Sequence, residues 1–159
     1  MTEEVKNKDR PDFVAVWIRY EAESFGNGAR AELRRVANPE ELLERPALYR
    51  LFPGERPSGQ HLRVAFLLPY CQHRAGAESL GTLLATAKKR VAEERVMQMA
   101  RSHWPEDIKY LRRLVMQLEP ALDWNALGAS LWYWNQDRKR RIVEDYFIAQ
   151  FNPAKGAKK

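Results

Sequence analysis

From Pro11 to Phe25 the apolar residues Phe13, Val16, Trp17 and Tyr20 recur at three- and four-residue intervals, the period of a helix with one buried face. Gly26-Asn27-Gly28 ends that segment, and Ala29 to Ala37 reads as a second short helix with Leu33 and Val36 inward and Arg30, Arg34 and Arg35 outward. Asn38-Pro39-Glu40-Glu41 then has the grammar of a helix start, with Pro at a first-turn position and acids at the positive end of the dipole. Pro46 interrupts it, so Pro39 to Glu44 and Pro46 to Leu51 are predicted as two short helical turns meeting at a bend. Pro53 to Gly59 has the composition of a surface loop and carries Arg56. The apolar stretch Leu62 to Tyr70 has no hairpin partner in its flanks and is read as a buried helix ending near Pro69.

Beyond residues 71 to 78, the expected boundary between two lobes, the helical signal strengthens. Leu80, Leu83 and Leu84 form one face, the basic bend Lys88-Lys89-Arg90 follows, and Val91, Val96, Met97 and Met99 mark another amphipathic segment. Pro105-Glu106-Asp107 opens a helix whose stripe is Ile108, Leu111, Leu114, Val115 and Leu118, which turns Arg112 and Arg113 away from the stripe centre. Asp123 caps the next helix, with Trp124, Leu127, Leu131 and Trp134 on one face, and Asn135 begins the last, with Ile142, Val143, Tyr146, Phe147 and Phe151 inward. The predicted architecture is all-α, two small lobes of antiparallel helices without a β-sheet: residues 1 to 75, residues 76 to 152, and a disordered basic tail at 153 to 159.

Composition narrows the function classes. The 159 residues suit one ordinary domain or two small lobes, and 45% hydrophobic with 30% charged residues support a packed core. The apolar runs fall far short of the roughly 20 residues that span a bilayer. Residues 1 to 10 lack the apolar centre of a secretory signal, so the expected location is the cytoplasm, with no membrane partner. The net charge is +6, but Lys155, Lys158 and Lys159 in the tail carry half of it, so any polyanion site must arise by clustering. Cys71 is the single cysteine; with His61, His73 and His103 it does not assemble a zinc ligand set, and no metal or cofactor is expected. No Gly-rich phosphate loop, nucleophile elbow or His-Glu-x-x-His is present, which weighs against catalysis. Glu106-Asp107 is read as dipole compensation and Glu144-Asp145 as a solvated edge.

The positive signal is arginine and lysine in groups. Arg138-Lys139-Arg140-Arg141 falls in the first turns of the last predicted helix, where the backbone dipole disfavours each cation by about 0.3–1 kcal/mol. Nucleic-acid phosphates would offset that cost by releasing counterions; a solvated face compensated by Asp137 and Glu144 is the alternative. Arg34-Arg35, Lys88-Lys89-Arg90 and Arg112-Arg113 repeat the motif opposite apolar stripes. Trp124 and Trp134 are read as core, Trp132 and Tyr133 as open to an interface or lobe boundary, Met97, Met99 and Met116 as gap-fillers, and Gly128 as a point of close helix approach.

Leu33-Arg34-Arg35-Val36, Pro39-Glu40-Glu41-Leu42 and Pro46-Ala47-Leu48-Tyr49-Arg50-Leu51, followed by Leu111-Arg112-Arg113-Leu114, Glu119-Pro120-Ala121-Leu122-Asp123-Trp124, the Leu131 to Trp134 stretch and Glu144-Asp145-Tyr146, form an ordered series. In order and spacing, from about Phe13 to Phe151, it resembles the CasB family, the small subunit of the type I-E Cascade complex of CRISPR immunity. The resemblance implies a non-catalytic helical subunit, present as two head-to-tail copies beside the other Cascade subunits. It also implies contact with crRNA and with the target and displaced DNA strands of an R-loop. Carried over by position, the nucleic-acid-binding residues are Arg34, Arg35, Arg56, Arg112 and Arg113, then Arg138, Lys139 and Arg140. Residues 71 to 95 depart from the family pattern, so Lys88, Lys89 and Arg90 rest on charge alone. Two rival readings stand beside this one: a free-standing regulator with a helix-turn-helix near Arg34-Arg35, and a structural adaptor whose basic faces meet acidic proteins.

Overall fold

Asp12 accepts a hydrogen bond from the Ala15 amide at 3.1 Å and so starts α1, Phe13–Glu21, inside the predicted Pro11 to Phe25 segment. The structure is a computed structural model and describes residues 10–152; the expected tail at 153 to 159 lies outside the described residues. Gly26, at φ 88°, makes the left-handed turn into α2, Asn27–Arg34, which therefore starts and ends earlier than the pattern suggested. A 3-10 turn, Pro39–Glu44, follows, and the Glu41 carboxylate reaches back to accept from the Asn38 amide at 2.8 Å. After the bend at Pro46 come α3, Pro46–Leu51, and α4, Gly59–Leu67, the latter finishing in a 3-10 turn, Leu68–Tyr70.

The second half contains α5, Leu80–Thr86; α6, Glu93–Arg101; α7, Glu106–Leu118; α8, Trp124–Trp132; and α9, Gln136–Gln150. The expectation of no β-structure needs one correction. Gln72–His73 (β1) and Ala121–Leu122 (β2) pair in parallel, with Gln72 opposite Ala121 and His73 opposite Leu122. The Gln72 amide donates to the Pro120 carbonyl and the Arg74 amide to the Leu122 carbonyl, both at 2.9 Å. Three helices separate the two strands, as a parallel pair requires, and two-residue strands are too short to leave an alternating pattern. The molecule remains mostly helical.

Packing crosses the division expected near residue 75. The α8 helix lies on α1 and α4, and α4 also meets α7, so one apolar core includes Phe13, Leu33, Leu48, Phe66, Leu111, Trp124 and Leu131. Gly128 makes the α1 contact possible: a Cβ there would overlap the Phe13 ring. The α5–α9 contact depends on Gly81, where a Cβ would overlap the Ile142 carbonyl oxygen. Trp124 is fully buried and its indole N–H donates to the Cys71 carbonyl at 3.1 Å. Trp132 is buried too, between Phe13 and His61 at ring-centroid distances of 5.9 and 4.8 Å, where the two expected lobes meet. Trp134 lies beyond the end of α8, half-buried, while Met116 and Phe151 are exposed because their helix phase and the end of α9 turn them outward.

Candidate nucleic-acid interface

The last carbonyls of a helix have no partner within it, and two side chains from other elements reach carbonyls at and just beyond the end of α2. Arg112, midway along α7, donates from its guanidinium to the Val36 carbonyl at 2.7 Å and lies over the Phe66 ring with its central carbon 4.0 Å from the centroid. The Tyr70 hydroxyl donates to the Arg34 carbonyl at 3.3 Å. These two bonds join α7 and the α4 end to the stretch from Arg34 to Val36, so Arg112 reaches the backbone beside Arg34 and Arg35 although it comes from a distant part of the sequence.

Their environments differ. Arg34 and Arg35 are exposed, and Arg34 stands beside the Tyr20 hydroxyl, whose pKa burial raises and the Arg34 charge partly restrains. Arg113 is exposed with its guanidinium 5.4 Å from the Tyr110 ring centroid. Arg112 is only part-exposed: burial holds its pKa below the usual guanidinium range, Tyr70 opposing the shift and Arg113 adding to it. It keeps its charge at neutral pH.

The other candidates are held elsewhere. Arg56 is exposed in the loop between α3 and α4, next to Glu55, which meets His61 Nε2 at 3.3 Å. Arg138 is half-buried in a groove whose walls include Asp123, Trp134, Asp137 and Asp145. Arg140 is exposed and pairs with Asp137 at 3.1 Å, and Arg141 approaches Glu144 at 3.8 Å, so this part of the run is compensated within its own helix. Lys88, Lys89 and Arg90 are exposed between α5 and α6.

Lys139 requires a correction. Its ammonium group is buried, 3.1 Å from Asp107 Oδ2 and 2.7 Å from the Ser102 carbonyl, and it has no surface to offer a phosphate. The helical turn points position 139 toward α7 while 138, 140 and 141 point away. Asp107, in the first turn of α7 where the dipole reading put it, is in addition a buried ion-pair partner. Since α9 meets α7 at its first turn, Arg113 lies about 9 Å farther along that axis.

Sequence reasoning missed Phe66, which lies under Arg112, and Tyr70, which holds the Arg34 carbonyl at the α2 end. Both lie in an apolar run read as core, and no local pattern connects them to an arginine in a distant helix. Cys71 is buried, its thiol pushed far up by desolvation, and the His73 ring accepts from the Trp124 amide at 3.1 Å, so both serve packing. Among the described residues no group of three or more His, Cys, Asp or Glu side chains is placed to hold a metal ion, and no helix is long and apolar enough to cross a membrane.

Fold and site thus describe a mostly helical protein with exposed arginines on several of its helices. The model of the CRISPR-associated protein Cse2 family matches residues 29–147, and the chain belongs to that family. It is 32% identical over 155 residues to the CRISPR system Cascade subunit CasB of Escherichia coli strain K12, covering 88% of this chain and 95% of that protein. Its fold superposes with TM-score 0.78 and 32% identity on a chain from the crystal structure of E. coli Cascade bound to a PAM-containing double-stranded DNA target, covering 89% of this chain and 99% of the other.

Proposed function

We propose that this chain is a non-catalytic small subunit of a crRNA-guided Cascade complex, which binds sugar-phosphate backbone through its arginine face and holds the strands of an R-loop apart. Its partners are the other Cascade subunits, a second copy of itself, the crRNA and both DNA strands. Family membership supports the setting. The observation that supports the nucleic-acid reading is the exposure of Arg34, Arg35 and Arg113 together with the hydrogen bond by which Arg112, the neighbour of Arg113, reaches the Val36 carbonyl just past the Arg34-Arg35 pair. Arg56 offers a separate exposed cation in the loop between α3 and α4, and Arg138 and Arg140 contribute less because acids surround them.

The physical role follows from strand exchange. An RNA–DNA heteroduplex is about as stable as the DNA duplex it replaces, so contacts that favour the opened state tip the balance without reading a base. Sequence specificity stays with the guide. The test is the affinity of the full chain for labelled single-stranded DNA over a range of salt concentrations. Binding should fall steeply with salt, and replacing Arg34, Arg35 and Arg113 together by Ala should reduce the log–log slope by roughly 2, about 0.7 per lost phosphate contact. An unchanged slope would remove these residues from the interface.

A further inference from the structure

Arg112 differs from its neighbours in how its donors are used. One terminal N–H is committed to the Val36 carbonyl at 2.7 Å, the guanidinium plane covers Phe66, and Nε is buried without a hydrogen-bond partner. Its geometry faces inward, onto the segment just beyond the end of α2. The Tyr70 hydroxyl holds the preceding exposed carbonyl, that of Arg34, from the other packed element. The groups around Arg112 are therefore Phe66 and Tyr70 from the α4 end, Val36 and Glu41 from the segment after α2, and Arg113 on its own helix. Arg34, Arg35 and Arg113, in contrast, leave their side chains at the surface.

From this arrangement we infer that Arg112 is a positioning residue for the nucleic-acid face: with Tyr70 it clamps α7 to the end of α2 and fixes Arg113 relative to Arg34 and Arg35, without itself gripping phosphate. The inference rests on the proposed binding function and divides its labour. Rigid spacing matters because a backbone presents charges at fixed intervals; arginines that move independently bind separately and lose the benefit of simultaneous engagement.

Lysine distinguishes the roles. Arg112→Lys keeps the positive charge but supplies neither the planar cover on Phe66 nor the fixed fork toward Val36. The experiment compares full-length wild type, Arg112→Lys, Tyr70→Phe, Arg113→Ala and the double variant Arg112→Lys with Arg113→Ala, each checked for helicity by circular dichroism and titrated into labelled single-stranded DNA. Arg112→Lys should weaken binding by roughly fivefold, Tyr70→Phe should act in the same direction, and the cost of Arg113→Ala should shrink to less than about twofold once Arg112 is Lys. Full retention of affinity in Arg112→Lys, or penalties that simply multiply in the double variant, would overturn the inference in favour of a direct cation. So would a lowered melting temperature with unchanged affinity, which is the mark of a purely structural contact. If the wild-type chain shows no salt-dependent binding at all, the underlying function fails and this role goes with it.

Discussion

Lys139 Nζ lies 3.1 Å from Asp107 Oδ2, with both side chains buried. The same carboxylate oxygen accepts from the Trp134 indole N–H at 3.0 Å, and the ammonium group also donates to the Ser102 carbonyl at 2.7 Å. One buried pair therefore ties α9 to the first turn of α7 and to the end of α6. Removing one partner strands the other in a medium of low polarity. Lys139→Met should cost about 3–5 kcal/mol of stability, and adding Asp107→Leu should recover part of it. Urea unfolding monitored by tryptophan fluorescence measures both; a single-variant loss below about 1 kcal/mol would mean that water reaches the pair.

Two glycines allow close helix contacts, but their obstacles differ. At Gly128 an added Cβ meets the Phe13 side chain, whereas at Gly81 it meets the backbone oxygen of Ile142. Each Ala substitution should destabilise by about 1–3 kcal/mol. Trimming Phe13 to Ala, which removes the ring, should make the Gly128→Ala penalty less than additive and leave the Gly81→Ala penalty intact, as read from denaturant midpoints of the single and double variants. Equal behaviour of the two sites would contradict the contacts described.

Asp123 starts α8 and links it to the segment before α5. Its carboxylate accepts from the Gly76 amide at 3.1 Å and the Asn125 amide at 2.9 Å, and those bonds hold its pKa below the usual carboxylate range, the Gly76 bond most. Because the folded value lies below the unfolded one, the stabilisation is fully present above the unfolded value near about 3.9 and is lost as pH falls through the folded one. Asp123→Asn should flatten this part of the acid limb and lower stability at neutral pH. Thermal melts between neutral and strongly acidic pH test it; an unaltered acid limb would assign the loss to other carboxylates.

The helices legible in the sequence are those whose stripes lie within one segment. The Ile108 to Leu118 stripe marks α7, and Asp123 and Asn135 mark where two other helices start, because capping is a local interaction. The β1–β2 pair was hidden, since its two partners meet only after three helices have folded between them. Lys139 was hidden for a different reason. Within a run of four cations only helix phase and the facing Asp107 determine which one turns inward, and neither is visible locally. The site was legible as residue types at Arg34, Arg35 and Arg113; the seat of Arg112 on Phe66 and Val36 is a product of tertiary packing.

The central claim concerns strands that have already separated. It is tested most directly by the lifetime of the R-loop formed on a matched DNA target by a Cascade complex assembled with this subunit, wild type or carrying Arg34→Ala, Arg35→Ala and Arg113→Ala together. The account predicts that the substituted subunit still enters the complex and that the R-loop collapses several-fold faster, with the difference narrowing as salt rises. A complex that assembles normally and keeps its R-loop open equally long without those three charges would contradict it.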